Sequence, residues 1–330
     1  MEKIIRWGIV GTGSIARRFA EAAKNTKGAE LTSVASRDIN TANAFADEFG
    51  IEKRFGSYED MAKSNDIDAA YIAVPHGVHA SASRLMLNNK KAVLCEKPIT
   101  VNGGELEDLI LCAKENDTFL MEAMWARVVP GTIELIKLIK GGLIGKVRAI
   151  EGDFCYDMTD EPDHHAFKPE YGGGSLLDVG VYALNFASWY APSPVLEITA
   201  LADVGKRTKV DEHCCVLIKY EDGCIASLSS GMTVKKPNSG YIYGEKGSVH
   251  VDRFYAPQKL EINIYDGESY EIDKPFYGNG FEEQITEVCN CLREGKKESS
   301  FLPHSHSLYI TRQMDLIRKK IGVIYPQDKQ

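Results

Sequence analysis

Lys97, Asp178 and Tyr182 are the side chains whose types and settings best suit proton chemistry. Lys97 lies in Glu96-Lys97-Pro98, directly after the short apolar run 92–95. The proline restricts Lys97 to an extended conformation, and a cis Lys97-Pro98 bond is open to it. An ammonium there can bond a substrate oxygen and lower the pKa of a neighbouring acid. Asp178 and Tyr182 stand four apart in GGGSLLDVGVYALN, residues 172–185, on one face of a helix that three glycines introduce. A tyrosine, with an ordinary pKa of about 10, serves as general acid or base near neutrality only beside a positive charge. Lys97 can supply that charge, and Asp178 can orient a substrate hydroxyl or the lysine. The same spacing describes a carboxylate at a helix start with a packed tyrosine, and spacing alone favours that plainer reading. A surface lysine is the plain reading of Lys97; its place after a strand is what sets it apart.

The stretch 4–17, IIRWGIVGTGSIAR, supplies the second chemical signal. Ile4, Ile5, Trp7, Ile9 and Val10 read as a buried strand, and a helix follows through about Lys24. Between them, Gly11-Thr12-Gly13-Ser14-Ile15-Ala16 is a G-x-G-x-x-A turn in the strand–turn–helix context that gives the motif meaning. Gly11 permits the tight turn, Gly13 lets backbone approach a pyrophosphate, and Ala16 lets the helix sit close to the strand. The helix start then presents N–H groups and a partial positive charge to phosphates. The next strand, 31–36, ends Ala35-Ser36-Arg37. An acidic residue at this point bonds the ribose hydroxyl of NAD, whereas an arginine accommodates a 2′-phosphate. Ser36 and Arg37 therefore favour NADP(H). NAD(H) stays open, because Asp38 follows and reverses the preference if it turns inward. Pro75, His76 and His79, in VPHGVH, fall at the same strand edge. His79 reads as a helix-start residue lining the cofactor rather than a proton carrier. The expected cofactor contacts are Gly11, Thr12, Gly13, Ser14, Ile15, Ser36, Arg37, Pro75, His76, His79, Glu96 and Lys97.

The elements that must position these residues change character along the chain. Up to residue 123, strands at 31–36, 69–74, 92–95 and 118–123 alternate with helices at 40–49 and 105–115. Ala42, Phe45, Ala46 and Phe49 share one helix face, as do Leu106, Leu109, Ile110 and Ala113. Such alternation implies an α/β Rossmann domain with a doubly wound parallel sheet, whose ligands sit beyond the carboxyl ends of the strands. After a helix at 132–140, β-type segments at 147–156, 195–202, 214–220, 224–230, 241–251 and 259–265 dominate, with helices at 175–190, 281–293 and 305–320. Residues 1–123 are thus expected as the dinucleotide-binding domain. Residues 124–330 are expected as a substrate-binding α+β domain on a largely antiparallel sheet, whose face left uncovered by helices suits homo-oligomerisation.

Composition narrows the function. At 330 residues, 44% hydrophobic and 26% charged, the chain reads as a soluble protein of about two domains. A net charge of -8 argues against a nucleic-acid surface. No apolar run is long enough to span a bilayer, and the N-terminal run, interrupted by Arg6, is not a signal peptide. The eight cysteines are scattered without a C-x-x-C pair, which suits reduced thiols in a cytoplasmic protein and gives no metal site. Cys289-x-Cys291 reads as helix packing, and Asp163-His164-His165 lacks a third ligand. His165 is better read as a substrate-loop contact. Trp125, Arg127, Phe154 and Phe254 can wall a pocket for an aromatic or sugar ring, with core packing open for Phe154.

WGIVGTGSIA, YIAVPHGVHA, CEKPIT and GGGSLLDVGVY together make the chain resemble the Gfo/Idh/MocA oxidoreductase family from end to end. MEAMWARVVP, the GGG-x-LLD-x-G-x-Y stretch and the ending KESSFLPHSHSL…IRKKIGVIYPQDK are most similar to its dihydrodiol dehydrogenase / NADP-dependent D-xylose dehydrogenase branch. The resemblance implies a Rossmann domain followed by an open-faced sheet domain, in dimers or tetramers. It implies Lys97 as a catalytic residue, places Asp178 on the family's aspartate, and places Tyr182 where inositol dehydrogenases carry His and the dihydrodiol branch Tyr. His165 stands where relatives often have Arg, and His306 where an acid is common. The expected reaction passes hydride between nicotinamide and a sugar, polyol or dihydrodiol carbon, with Tyr182 as acid/base. A non-catalytic NADP-binding regulator and an NAD-dependent glycoside hydrolase are the alternatives; an intact set of Lys97, Asp178 and Tyr182 speaks against the regulator.

Overall fold

The computed structural model describes residues 3–329. In chain order the first elements are β1 (Ile5–Val10), α1 (Ser14–Asn25), β2 (Ala29–Ala35), α2 (Ile39–Phe49), β3 (Lys53–Phe55), α3 (Tyr58–Lys63), β4 (Ala69–Ile72), α4 (His79–Asn88), β5 (Ala92–Glu96), α5 (Gly103–Glu115) and β6 (Leu120–Ala123). All neighbouring strands pair in parallel, in the order β3-β2-β1-β4-β5-β6. The order reverses between β1 and β4, which is where a doubly wound sheet opens a ligand crevice.

Each face of the sheet is covered by an amphipathic helix face. In α1, Ala16, Phe19, Ala20 and Ala23 are buried at i, i+3, i+4 and i+7. The ring of Phe19 meets Trp7 of β1 edge-on at 5.3 Å and stacks on Tyr71 of β4 at 3.8 Å. The expected inward faces of α2 and α5 are buried as read. Ile4 is not: it is 55% exposed, just ahead of β1. β3 and α3 had no sequence signal. At three and six residues they are too short for a hydrophobic period to register.

The following elements are α6 (Pro130–Lys140), β7 (Val147–Cys155), a single π-helical turn at Leu176–Gly180, α7 (Val181–Tyr190), β8 (Val195–Val204), β9 (Asp211–Tyr220), β10 (Ile225–Gly231), β11 (Gly240–Gly244), β12 (Gly247–Val251), β13 (Lys259–Ile264) and β14 (Ser269–Asp273). They form an eight-stranded sheet ordered β14-β13-β12-β11-β7-β10-β9-β8. Only β7 and β10 pair in parallel; every other neighbour is antiparallel. The segment read as 241–251 is two strands, because Glu245-Lys246 turns the chain back between glycines. Strand alternation splits the sheet in two faces. Ile150, Ile218, Ala226, Ile242, Val249 and Ile262 are buried on one, while Leu201, Leu217 and Ile225 are exposed on the other.

The chain closes with α8 (Glu282–Arg293) and α9 (His304–Ile321). The compact units are Met1–Trp125 with Tyr277–Tyr309, and Ala126–Phe276 with Ile310–Gln330. The structure therefore departs from a single division at 123/124. α8 buries Ile285, Val288 and Cys289 and packs on α1 and β2, and Arg293 donates to the carbonyls of Lys3 (3.0 Å) and Gly28 (3.1 Å). Among the described residues no helix is long and apolar enough to cross a membrane, and no group of His, Cys, Asp or Glu is arranged to hold a metal ion. Replacing the fully buried Trp7 leaves a cavity against Phe19, so Trp7→Ala should lose about 3–5 kcal/mol of stability in urea unfolding. A loss under about 1 kcal/mol would show that the Trp7–Phe19–Tyr71 stack does not organise this core.

Candidate active site

In a parallel sheet every carboxyl end lies at one edge, so the turns after β1, β2, β4 and β5 share it. Gly11, after β1, adopts φ +103°, and a side chain there would collide with the Ala73 carbonyl that follows β4. Only glycine meets both demands. Gly13 caps α1 in an extended conformation without a side-chain bond, and a Cβ placed on it meets nothing within 4 Å. The first turn of α1 carries no acid, so its N–H groups face an open cradle suited to a pyrophosphate. Thr12, Ser14 and Ile15 border this cradle, and the Thr12 carbonyl accepts from Arg17 at 2.8 Å.

Asp38 is engaged by hydrogen bonding. Its carboxylate accepts from the Asn40 N–H (2.9 Å) and the Thr41 hydroxyl (3.4 Å), capping α2. Ser36 is half-buried, and its backbone N–H donates to the Phe55 carbonyl at 3.1 Å. Arg37 is exposed at the strand end and bonds the half-buried Tyr58 hydroxyl. The Asp38 carboxylate is thus engaged at the start of α2.

Pro75 leads into a short 3-10 turn, His76–Val78, and the ring of half-buried His76 lies 5.5 Å from that of His79. His79 is fully buried. Its Nδ1 lies 2.8 Å from the Pro98 carbonyl and its Nε2 2.8 Å from the Val74 carbonyl. Burial pushes the imidazole down to about 4, so the ring is neutral at pH 7. A neutral ring carries one N–H and donates to only one of these two carbonyls, with the buried ring lying between the two turns. Glu96 is buried too. It accepts from the Tyr71 hydroxyl and the Lys97 N–H (3.2 Å); burial pushes its carboxyl up, and the Lys97 charge opposes that. The Lys97-Pro98 bond is cis. Lys97 itself is half-buried.

Glu122 is a site residue that the sequence did not reveal. Buried on β6, it accepts from the Ile99 N–H (3.2 Å) and the Ser307 hydroxyl (2.6 Å). Burial again raises the carboxyl and the Lys97 charge lowers it. Lys97 thus lies in the field of two buried carboxyls. Trp125 is buried, with the Arg18 guanidinium 4.5 Å above it; the same guanidinium is 4.3 Å from the Phe281 ring and donates to the Asn279 carbonyl at 2.6 Å.

In the second unit Tyr182 lies among aromatic rings. Phe154 is 5.5 Å from it and stacks on Tyr255 at 4.1 Å; Phe254, almost fully buried, closes the cluster behind. Phe154 is half-buried, so it is not simply core. Asp178, on the π turn, accepts the hydroxyl of Tyr156. Burial and the Asp178 charge together push that phenol far above its ordinary value, so Tyr156 is a fixed donor and not a base. Phe154 and Tyr156 are two apart at the end of β7, the alternation that places side chains on one face. That period is the signal by which Tyr156 is findable in sequence. Arg127 stacks on Trp189 at 5.9 Å, and burial lowers its guanidinium. His165 starts a 3-10 turn, 165–167, with its ring 4.0 Å from His164.

Residues 5–124 match the family model described as "Oxidoreductase family, NAD-binding Rossmann fold", and residues 132–250 match the "GFO/IDH/MocA C-terminal domain". The chain is 35% identical over 337 residues, 99% of each chain, to trans-1,2-dihydrobenzene-1,2-diol dehydrogenase of Mus musculus. The solved structure of KijD10, a 3-ketoreductase from Actinomadura kijaniata in complex with NADP and TDP-benzene, superposes with a TM-score of 0.89 at 25% identity, covering 98% of this chain and 99% of that one. An aldose-aldose oxidoreductase from Caulobacter crescentus shares the fold at a TM-score of 0.89 and 22% identity, over 97% and 98% of the two chains.

If Asp38 is only a helix cap, Asp38→Ala should lose about 1 kcal/mol of stability and leave the ratio of NADP+ to NAD+ dissociation constants unchanged in calorimetric titration. A tenfold change in that ratio would return Asp38 to the ribose.

Proposed function

The chain belongs to the Gfo/Idh/MocA oxidoreductase family, and from that premise we propose that it is an NADP(H)-dependent oxidoreductase of a ring-borne secondary alcohol, a sugar or dihydrodiol. The observation that carries the reading is the end of β2, where an exposed guanidinium stands beside a carboxylate tied into α2. Gly13 to Ile15 would hold the pyrophosphate, and Ser36 with Arg37 the 2′-phosphate. When bound, NADP(H) supplies the two-electron acceptor or donor.

This chain's own groups handle the oxygen and its proton. Lys97, which lies in the field of Glu96 and Glu122, donates to the substrate oxygen. Tyr182 takes the hydroxyl proton in oxidation and returns it in reduction. Asp178, anchored by Tyr156, accepts from the substrate and fixes its orientation. The stacked Phe154 and Tyr255 offer an aromatic wall to a flat ring. The name of the mouse relative supports a dihydrodiol, and the bound NADP of KijD10 supports the cofactor.

With trans-1,2-dihydrobenzene-1,2-diol and NADP+, Tyr182→Phe should lower kcat about a hundredfold or more and leave NADPH binding, read by fluorescence, intact. Normal turnover would remove the tyrosine from the mechanism.

The open sheet face suits a second copy of the chain. Thr199, Leu217, Ser227, Glu151, Tyr241 and His250 stand in register across six strands, with Leu201 and Ile225 in adjacent rows. Leu201 is 81% exposed. Leu201→Glu combined with Leu217→Glu should halve the mass seen by sedimentation equilibrium. An unchanged mass would place the interface elsewhere or leave the chain a monomer.

A further inference from the structure

The turn that carries Asp178 is held locally by its backbone, where the N–H groups of Gly172 and Gly173 donate to the carbonyls of Pro169 (3.0 Å) and Lys168 (3.0 Å). Gly172 and Gly174 adopt φ +69° and +113°, and glycines lose the most backbone freedom on ordering. A π turn follows, with weaker internal geometry than an α-helix. Further bonds to this segment come from two distant places. Asp211, at the start of β9, is fully buried; its Oδ2 accepts from the Ser175 hydroxyl (2.8 Å) and from the Leu176 N–H (2.6 Å), the first residue of the π turn. Its Oδ1 has no hydrogen-bond partner and occupies the space where a Gly174 side chain would stand. Tyr325, also fully buried, donates its hydroxyl to the Gly173 carbonyl and lies 3.0 Å from that same space.

Tyr325 is held in turn by the end of the chain. The Arg318 guanidinium sits 4.9 Å from its ring and is bonded by Asp315 (2.7 Å) and Asp328 (2.7 and 3.1 Å). Asp328 also accepts the Tyr325 N–H at 2.8 Å. Beyond the glycines the bonds continue to the site. The Gly174 carbonyl accepts from the Asp178 N–H at 3.1 Å, and the Gly174 N–H donates to the Ala166 carbonyl at 2.8 Å, beside His165.

We propose that residues 318–328 form a clasp, and that Tyr325 and Asp211 are positioning residues which set Asp178, and through the same helix Tyr182, for proton transfer. The proposal rests on the roles given to Asp178 and Tyr182 above. The IGVIYPQDK ending then has a purpose in the reaction although it lies outside the Asp178–Tyr182 segment.

The test is Tyr325→Phe in the full chain, which removes one hydroxyl and keeps the ring under Arg318. With trans-1,2-dihydrobenzene-1,2-diol and NADP+, kcat per NADPH-binding site should fall roughly tenfold or more, as small misplacements of reacting groups do. KM and NADPH affinity should stay within about twofold, and the melting temperature within a few degrees. Placed on Tyr182→Phe, the substitution should add nothing further, because both act on one step. Unchanged kcat, or a full additional loss in the double variant, overturns the clasp. A lowered melting temperature with normal kcat per binding site also overturns it, leaving Tyr325 a purely structural residue. Tyr182→Phe with full activity would instead sink the reading of the site itself, which keeps the two failures apart.

Discussion

At Gly11 the backbone leaving β1 runs so close to the Ala73 carbonyl that no side chain fits between them. That approach brings α1 over the sheet at the angle that leaves its first N–H groups facing open space beyond Gly13. The second unit repeats the device. A Cβ on Gly173 would strike the Ala166 carbonyl, and one on Gly174 would strike the Asp211 carboxylate. At both places glycine lets main chain touch main chain or a buried acid, and the helix that follows carries the functional groups. The site depends on these contacts more than on any one side chain.

Three buried carboxyls do the matching work from beneath. Glu96, Glu122 and Asp211 each accept a backbone N–H from a turn that carries or adjoins a candidate catalytic residue. Burying a charge is expensive unless hydrogen bonds and opposite charge offset it. For Glu96 and Glu122 the offset comes partly from the charge of Lys97. Asp211 has Arg318 as its nearest opposing charge, and burial still pushes it up to about 6. Its bonds to Ser175 and Leu176 work against that burial and favour the carboxylate.

The two tyrosines beside Asp178 show how burial assigns roles. Tyr156 donates to the carboxylate and is locked as a donor by that charge. Tyr182 stands one helical turn from Asp178, with the rings of Phe154 and Tyr255 beside it.

Local signals told most about the first unit. The glycine turn, the inward faces of α2 and α5, and the strand ends at Arg37 and Lys97 were readable, because each is a short-range pattern of two or three or four residues. Three-residue β3 and six-residue α3 were not, and the place of α8 was not, because its buried face says that it packs but not on what. In the second unit the strands and the Asp178–Tyr182 pair were visible, whereas Tyr255, Asp211 and Tyr325 were not. Each of these reaches its partner across a large sequence separation, 36 residues for Asp211 to Ser175 and 152 for Tyr325 to Gly173. By itself the sequence determined that a dinucleotide turn opens the chain and that a lysine, an aspartate and a tyrosine are available for proton transfer. Only the tertiary structure decided that Asp38 belongs to a helix cap, that Glu122 stands behind Lys97 and that Tyr156 anchors Asp178. The reason is physical: hydrogen bonds and buried charges are satisfied by proximity in space, which periodicity along a chain does not encode.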